Sequence, residues 1–306
     1  MTNEEIKNMT FIDFKKHIQD LPEVHTLSAD NKEVYGIYLH DVCYVDRDGT
    51  QRTLQMIVPE SNTYTHDYPA VLYVQGSAWK KQDQYKRLGA MSYLASKGYV
   101  TAILQYRESD LASFPAQIED AKTGIRYLRK EAKQYHIDPH NIFIMGDSSG
   151  GHTAFMAGIT ASQGILDTDA YKDYSCAVNA IVDFYGVSCV QIKEDFPTTY
   201  NQGEPDSPEG MLIGHNDVYE HKELSDPVTC MNYVHKDIDI PPILMMHGLS
   251  DNLVSVNQSI RLYKKLKEED KDVELYLIEN ADHGDPVFWT NENMDRVDVF
   301  LKKHLI

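Results

Sequence analysis

The stretch NIFIMGDSSGGHTAFMA, residues 141–157, decides the fold of this chain. Its residues 142–145 form an apolar run of the length of a short buried strand, and the residues from His152 onwards have the spacing of a helix. The two halves meet in GDSSG, which fits the pattern G-x-S-x-G with Ser148 at its centre. So abrupt a change from strand to helix strains the residue at the corner and requires small neighbours. The pattern therefore predicts a sharp turn that lifts the Ser148 hydroxyl out of the edge of a sheet.

Short apolar runs alternate with helical stretches on both sides of this turn. The runs are PAVLYVQG, GYVTAILQYR, AVNAIVDFYG, PPILMMHG and VELYLIENADHG. Runs of this kind, bounded by Gly or Pro, are typical of strands buried on both faces of a parallel sheet. Two earlier segments, GIYLHDVCYV and TQRTLQMIVP, are separated by DRDG and predict an antiparallel hairpin. The sequence thus predicts a single α/β domain over residues 1–306.

Two segments depart from this alternation. Residues 1–34 are predicted to form an N-terminal helical extension, because apolar residues recur there near helical spacing. Residues 187–241 are rich in Pro, Gly, Asp and Asn and are too long for an ordinary connection. We expect them to form an insertion with short helices that lies over one end of the sheet.

Composition excludes several classes of protein. The chain has 306 residues and a net charge of -18, which disfavours binding to nucleic acid or to anionic lipid surfaces. The sequence contains no pattern of a signal peptide and no run of 18 apolar residues, so we expect a cytoplasmic protein with no membrane partner. The cysteines are too irregularly spaced for a disulfide framework or a zinc site, and we expect neither a metal nor a cofactor. A homodimer stays open.

A serine hydroxyl is a weak nucleophile until a base takes its proton, so Ser148 requires a histidine nearby. His283, in LIENADHGD, lies just past the last apolar run, at the predicted end of a strand. His247 is the rival base, but it ends a strand and precedes a glycine, and we interpret it as a packed turn residue. Asp251 follows the same strand and is the predicted acid, while Asp282 is its competitor. The order Ser, Asp, His is the one expected when the serine occupies such a strand-to-helix turn.

An oxyanion hole is the third requirement of this chemistry. We expect the backbone N–H of Ser149 to contribute, together with the loop after the third strand, which is Gln75–Trp79. Small residues in that loop let its backbone turn inward. Gln75 and Trp79 are predicted to line the substrate pocket, although a buried structural role for Trp79 is an equal alternative.

The chain resembles the α/β-hydrolase superfamily over most of residues 35–306, and more narrowly the hormone-sensitive-lipase and feruloyl or acetyl-xylan esterase-like (BD-FAE) branch. The motifs that carry the resemblance include VQGSAW, LQYRES, the stretch FPAQIEDAKTGIRYLRKEAKQYHIDPHNIFIMGDSSGGH, SPEGMLIG, PPILMMHGLSDNLV and ADHG. The resemblance implies a mostly parallel eight-stranded sheet with helices on both faces, and residues 187–241 would match a partial cap.

The resemblance also implies roles for individual residues. Ser148 would be the nucleophile, Asp251 the acid and His283 the base, while Ser77 and Ala78 would join Ser149 as oxyanion donors. The family loop is commonly His-Gly-Gly-x-Trp, and this chain has QGSAW at residues 75–79, which keeps the backbone arrangement and changes two side chains.

These residues favour a serine carboxylesterase that hydrolyses small acetyl, short-acyl or hydroxycinnamoyl esters through an acyl-enzyme intermediate. Two alternatives stay open at this point. The same machinery serves an amidase of the arylformamidase or peptidase type, because ester and amide differ in the leaving group and not in the nucleophile. A binding protein that keeps the fold without catalysis is the other alternative.

Overall fold

The computed structural model describes residues 1–9, 16, 25, 35–47, 49–60, 66–192 and 201–306. The chain divides into two compact units, Met1–Glu33 and Val34–Ile306. In the first unit, helix α1 spans Asn3–Asn8 and begins with a capping box between Thr2 and Glu5. The remainder of the predicted helical extension over residues 1–34 lies largely outside the described residues.

The second unit is built on an eight-stranded sheet. Its strands are β1 Tyr35–Arg47, β2 Thr50–Glu60, β3 Tyr68–Val74, β4 Val100–Leu104, β5 Ile137–Asp147, β6 Ile181–Phe184, β7 Ile243–Gly248 and β8 Val273–Ile278. They lie in the order β1-β2-β4-β3-β5-β6-β7-β8. The pairs β1–β2 and β2–β4 are antiparallel and the other pairs are parallel. The predicted mostly parallel eight-stranded sheet, with its initial hairpin, is confirmed.

Helices cover both faces of this sheet. The helices of the second unit are α2 Leu88–Ser96, α3 Ala116–Lys130, α4 Ser149–Ile159, α5 Pro208–Leu212, α6 Lys222–Ser225, α7 Asn257–Glu268 and α8 Asn291–Lys303. Buried residues of α3, α4 and α7 belong to one apolar core, and those of α2 and α8 belong to another. No helix among the described residues is both long enough and apolar enough to cross a membrane.

Strand β3 shows why the sequence of a central strand is apolar throughout. Leu72 and Val74 are buried in the core under α3 and α4, whereas Val71 and Tyr73 are buried in the core under α2 and α8. Successive side chains point to opposite faces, and both faces are covered, so every residue from Ala70 to Val74 is buried. Each fully buried side chain of this size contributes about 1.5–3 kcal/mol to folding.

The segment between β6 and β7 contains short helices, as the sequence predicts. Helices α5 and α6 lie in it, together with a 3-10 helix at Cys230–Tyr233. Apolar residues of this segment form one buried cluster with Trp79, which follows the carboxyl end of β3: Val187, Val190, Leu212, Ile213, Val218 and Val228. The described part of the insertion therefore contacts the carboxyl edge of the sheet.

Glycines allow β5 and α4 to meet at the turn that the sequence singles out. A Cβ atom on Gly146 would lie 2.2 Å from the carbonyl oxygen of Gly150, and a Cβ on Gly150 would lie 2.1 Å from the carbonyl oxygen of Val74. Both distances are far below van der Waals contact, and the opposing atoms are backbone atoms that cannot rotate away. The approach of the helix to the sheet therefore depends on these glycines.

Gly150→Ala should destabilise the protein, because the added methyl group must push α4 away from β3. We expect a loss of about 1–3 kcal/mol in the free energy of unfolding, the usual cost of overpacking. Gly89→Ala in α2 is the matched control, since a Cβ there meets nothing within 4 Å. Urea denaturation measures both variants, and equal stability of the two would contradict the steric argument.

Candidate active site

Ser148 occupies the corner between β5 and α4. Its backbone has φ 52° and ψ -127°, a region that residues with a side chain rarely adopt. Its N–H donates to the carbonyl of Phe184 at 2.9 Å, and its own carbonyl accepts from the N–H of His152 at 3.2 Å. These bonds hold the strained residue from both sides. The predicted sharp turn at Ser148 is present.

Three side chains from distant parts of the chain form a line of contacts at this corner. Ser148 Oγ lies 2.9 Å from His283 Nε2, and His283 Nδ1 lies 2.8 Å from Asp251 Oδ2. An ionised carboxylate can only accept, so Nδ1 of the imidazole carries the proton and donates it to Asp251. Nε2 is then free to accept a hydrogen bond from the Ser148 hydroxyl. The arrangement places the predicted base, His283, within hydrogen-bond reach of Ser148 and places the predicted acid, Asp251, beside that imidazole.

Asp251 is buried and accepts several hydrogen bonds. Its Oδ1 accepts from the N–H groups of Leu253 and Val254 at 2.9 and 2.8 Å. Burial raises the pKa of the Asp251 carboxyl, but hydrogen bonds from His247 and His283 outweigh that effect and hold the pKa below its ordinary value. The acid therefore stays ionised beside His283.

His247 lies beside the acid and not beside the serine. Its ring is buried, with Nε2 2.8 Å from the carbonyl oxygen of Val254 and 3.2 Å from Asp251 Oδ2. Since a carbonyl oxygen only accepts, Nε2 carries a proton, and Nδ1 lies 2.7 Å from Ser259 Oγ. His247 is thus packed as predicted, but it lies within strand β7 and pairs with Leu277 of β8, so its interpretation as a turn residue is wrong. Its contact with Asp251 could have been suggested by the HGLSD spacing.

Asp282 connects the two loops that carry Asp251 and His283. Its Oδ1 accepts from the N–H groups of His283 and Asn252 at 2.7 and 3.0 Å, and its Oδ2 accepts from Asn252 Nδ2 at 2.9 Å. The Asp282 carboxylate therefore bonds to backbone and amide groups, while the imidazole of His283 bonds to Asp251.

The loop after β3 points its backbone towards the turn at Ser148. The N–H of Gly76 donates to Asp147 Oδ1 at 2.7 Å, and the N–H of Ser77 donates to Ser149 Oγ at 3.0 Å. Ala78 and Trp79 follow with positive φ angles of 56° and 53°. Tyr106 lies beneath this loop and donates its hydroxyl to the carbonyl of Gln75 at 3.0 Å. The predicted oxyanion loop therefore lies against the turn, with the Ser77 amide bound to the Ser149 hydroxyl.

Both residues predicted to line the pocket are buried. Trp79 is 1% exposed, and its ring stands edge-on to the ring of His152 at 5.2 Å. Gln75 is 4% exposed. His152 Nε2 lies 2.8 Å from the carbonyl oxygen of Val228 in the insertion. A role for Trp79 and Gln75 in a substrate pocket stays a prediction.

Asp147 is a residue of the site that the sequence argument missed. It occupies the variable position of G-x-S-x-G, and its buried carboxylate accepts from the hydroxyls of Tyr73 and Tyr185 as well as from Gly76. Its place at the end of an apolar strand was the available signal, because a buried carboxylate in such a position requires donors around it.

A histidine and acid cluster in the insertion, HNDVYEHKE, has no metal-like arrangement. His215 Nδ1 lies 3.3 Å from Asp206 Oδ1, and His221 Nδ1 lies 3.1 Å from Glu223 Oε1. Across the described ranges, no group of three or more His, Cys, Asp or Glu side chains is placed to hold a metal ion.

Asp183, at the carboxyl end of β6, is buried next to the turn, and a Cβ on Gly151 would lie 2.1 Å from its Oδ1. Burial raises its pKa to about 7, with the Gly186 N–H opposing this and the charge of Asp147 adding to it. Between pH 3.8, the ordinary pKa of the group, and about pH 7, the folded protein therefore keeps the proton on Asp183, whereas the unfolded protein loses it. Stability contributed by this proton is present at acid pH and is lost as the pH rises to about 7.

Asp183→Asn removes this titration. We expect the free energy of unfolding of the variant minus that of the native protein to rise by about 3 kcal/mol between pH 4.5 and pH 8. The comparison must use the difference between the two proteins, because His152 acts in the opposite direction: burial lowers its pKa to about 4. Urea denaturation at both pH values measures the difference, and a difference that does not change with pH would contradict the prediction.

Comparison with known proteins shows the family of the chain. The BD-FAE family profile matches residues 54–266, well over half of the chain. The probable carboxylic ester hydrolase LipM of Mycobacterium tuberculosis is 28% identical over 216 residues, which cover 68% of this chain and 47% of that protein. Isoprenylcysteine alpha-carbonyl methylesterase ICME of Arabidopsis thaliana is 26% identical over 249 residues, covering 78% and 55% of the two chains.

A solved structure extends the likeness to the fold. It is described as a truncated form of a carbohydrate esterase from gut microbiota, and it superposes with a TM-score of 0.76 at 27% identity, covering 92% of this chain and 99% of that one. The chain spans about half the length of the curated relatives that it matches. By the family match and the fold, the chain belongs to the BD-FAE family, within the carboxylesterase branch of the α/β-hydrolases.

Proposed function

We propose that the chain is a serine carboxylesterase that hydrolyses small acyl esters. The observation that carries the proposal is the line of contacts from Ser148 Oγ through His283 to the buried carboxylate of Asp251, at 2.9 and 2.8 Å. Each contact is within the reach that proton transfer requires. The names of the relatives, which are ester hydrolases, support the same reaction class.

The first half of the reaction acylates the serine. Ser148 Oγ attacks the carbonyl carbon of the ester as its proton passes to His283 Nε2, and the positive imidazolium is stabilised by Asp251. The carbonyl oxygen becomes an oxyanion. When the tetrahedral intermediate collapses, the bond to the alcohol oxygen breaks, and His283 returns its proton to that oxygen. The alcohol leaves, and the acyl group stays on Ser148.

The second half releases the acid. Water gives a proton to His283 and attacks the acyl carbon, and the bond to Ser148 Oγ breaks as that oxygen regains the proton. The oxyanion in both halves would be stabilised by the backbone N–H groups of Ala78 and Ser149. The Ser77 N–H would join them only when it releases the Ser149 hydroxyl, to which it donates at 3.0 Å.

Acetyl, short-acyl and hydroxycinnamoyl esters are the proposed substrates, and the insertion at residues 187–241 is proposed to act as a partial cap over the acyl group. The apolar cluster that the insertion forms with Trp79 supports this placement, since it lies at the same sheet edge as Ser148. Small acyl chains would lie beside the apolar side chains of this cluster.

Purified protein tests the proposal directly. We expect turnover of p-nitrophenyl acetate and butyrate, and we expect a fluorophosphonate probe to attach to the peptide that contains Ser148, as read by mass spectrometry. N-formylkynurenine and aminoacyl anilides, assayed alongside, measure any preference for amides. Protein that neither hydrolyses these esters nor reacts with the probe would refute the proposal.

A further inference from the structure

Asp147 lies directly before Ser148 and bonds to three different parts of the molecule. Its side chain is buried within the turn. Oδ1 accepts from the Tyr73 hydroxyl at 2.6 Å and from the Gly76 N–H at 2.7 Å, and Oδ2 accepts from the Tyr185 hydroxyl at 3.2 Å. Hydrogen bonds to an ionised acceptor are about twice as strong as those between neutral groups. The Asp147 carboxylate therefore fixes the position of the Tyr73 ring on β3, of the loop at Gly76 and of the Tyr185 ring.

The bond from Gly76 concerns the oxyanion loop. Gly76 immediately precedes Ser77 and Ala78, and a Cβ on Gly76 would lie 2.8 Å from the Cβ of Ser148. The loop backbone is therefore packed against the nucleophile at van der Waals distance. The bond from its N–H to Asp147 fixes where the following amide groups point.

The bond from Tyr185 concerns the base. The Tyr185 ring stands edge-on to the imidazole of His283, with 4.9 Å between the ring centroids and 66° between the planes. Tyr185 is 1% exposed and also packs against Phe288, at 4.5 Å between ring centroids. The imidazole therefore rests against a ring whose only polar atom bonds to Asp147.

Tyr185 is also held in a strained backbone conformation. Its φ angle is 42°, and its N–H donates to the carbonyl of Met246 at 2.8 Å. A bulky residue with positive φ is rare and persists only where surrounding contacts fix it. The neighbouring Phe184 carbonyl accepts from Ser148, so the two strained residues are linked through one peptide unit.

We propose that Asp147 is a positioning residue for ester hydrolysis, which aligns the oxyanion loop through Gly76 and the imidazole of His283 through Tyr185. The inference rests on the proposed esterase function, because it assigns Asp147 to the same reaction. Both the donor groups for the oxyanion and the base for Ser148 would then be aligned by one side chain that touches no substrate. Displacement of reacting groups by about 1 Å can lower a rate by 100-fold, so such alignment carries a measurable effect.

Two conservative variants separate this role from simple packing. Tyr185→Phe removes the hydroxyl that bonds to Oδ2 and keeps the ring against His283. Tyr135→Phe removes a buried hydroxyl that lies 3.0 Å from the hydroxyl of Tyr127 and makes no hydrogen bond to Asp147. We expect Tyr185→Phe to lower kcat for p-nitrophenyl acetate about tenfold with KM within twofold. The matched Tyr135→Phe variant should lose stability in urea denaturation and keep kcat within twofold.

Asp147→Asn, alone and combined with Tyr185→Phe, tests whether Tyr185 acts through the Asp147 carboxylate. Asp147→Asn should lower kcat about 10- to 100-fold, and the double variant should be no slower than Asp147→Asn alone, because Tyr185 acts through the same carboxylate. Multiplied effects in the double variant, or equal losses of kcat in Tyr185→Phe and Tyr135→Phe, would overturn the proposal.

A spectroscopic measurement separates this proposal from the proposed function. The proton on Nδ1 of His283 donates to Asp251 and reports the position of the ring in one-dimensional NMR. We expect its resonance to move in Tyr185→Phe and to stay in place in Tyr135→Phe; a resonance that responds to neither change would overturn the positioning role. Absence of ester turnover in the native protein, with the resonance moving as expected, would refute the esterase function while the alignment by Asp147 stands.

Discussion

Ser148→Ala should lower kcat/KM for p-nitrophenyl esters by about 10⁴- to 10⁶-fold, the range seen when a serine hydrolase loses its nucleophile. The alanine keeps the turn and removes only the oxygen that lies 2.9 Å from His283 Nε2. Without that oxygen no acyl-enzyme forms. Only catalysis by the oxyanion donors and by binding would then persist.

The measurement compares initial rates and probe labelling in three proteins. Ser162→Ala is the matched control, because that hydroxyl lies on the surface and donates to the carbonyl of Asp239. We expect the control to keep rates within twofold of the native protein. If Ser148→Ala retained more than a few per cent of native turnover, Ser148 would not be the nucleophile.

Asp251→Asn should lower kcat by about 10³- to 10⁴-fold while leaving the fold intact. The native carboxylate accepts from His283 Nδ1 at 2.8 Å and so keeps the proton on that nitrogen. An amide that presents its NH₂ group to the imidazole would favour the other tautomer. Nε2 would then carry a proton and could no longer accept one from Ser148.

Asp282→Asn is the control for this variant, since Asp282 is the neighbouring carboxylate and bonds to Asn252 and not to the imidazole. We expect it to cost less than tenfold in kcat. The comparison requires only steady-state kinetics and a urea denaturation curve for each protein. Equal losses of kcat would show that the two carboxylates share the role of the acid.

The sheet and the turn at Ser148 could be predicted from sequence because their signals are local. The apolar runs bounded by Gly or Pro reflect burial of both strand faces, as β3 shows with Leu72 and Tyr73 in opposite cores. The glycines around Ser148 reflect a steric requirement between adjacent elements. Since parallel strands end at one edge, the placement of Asp251 and His283 after β7 and β8 also follows from their positions in the chain.

Other parts of the site depend on contacts that no local pattern records. Tyr185 and Asp147 are 38 residues apart, and their bond forms only because β5 and β6 pair in a particular register. The burial of Trp79 depends on the insertion, whose residues Leu212 and Val228 pack around it. The bond of the Ser77 amide to the Ser149 hydroxyl likewise depends on how the loop backbone turns, with two positive φ angles at non-glycine residues.

The position of the insertion between β6 and β7 has a consequence for changing the specificity of the protein. These strands pair directly, from Ile181 with Ile243 to Phe184 with Met246, so the sheet holds both ends of the insertion in place. For a flexible connection with fixed ends, doubling its length adds only about 0.6 kcal/mol of loop-closure entropy. Loop-closure entropy therefore sets little limit on the length of a segment exchanged at residues 187–241, provided that the new segment keeps apolar side chains against Trp79. Ser148, Asp251 and His283 follow the ends of β5, β7 and β8, outside the exchanged residues.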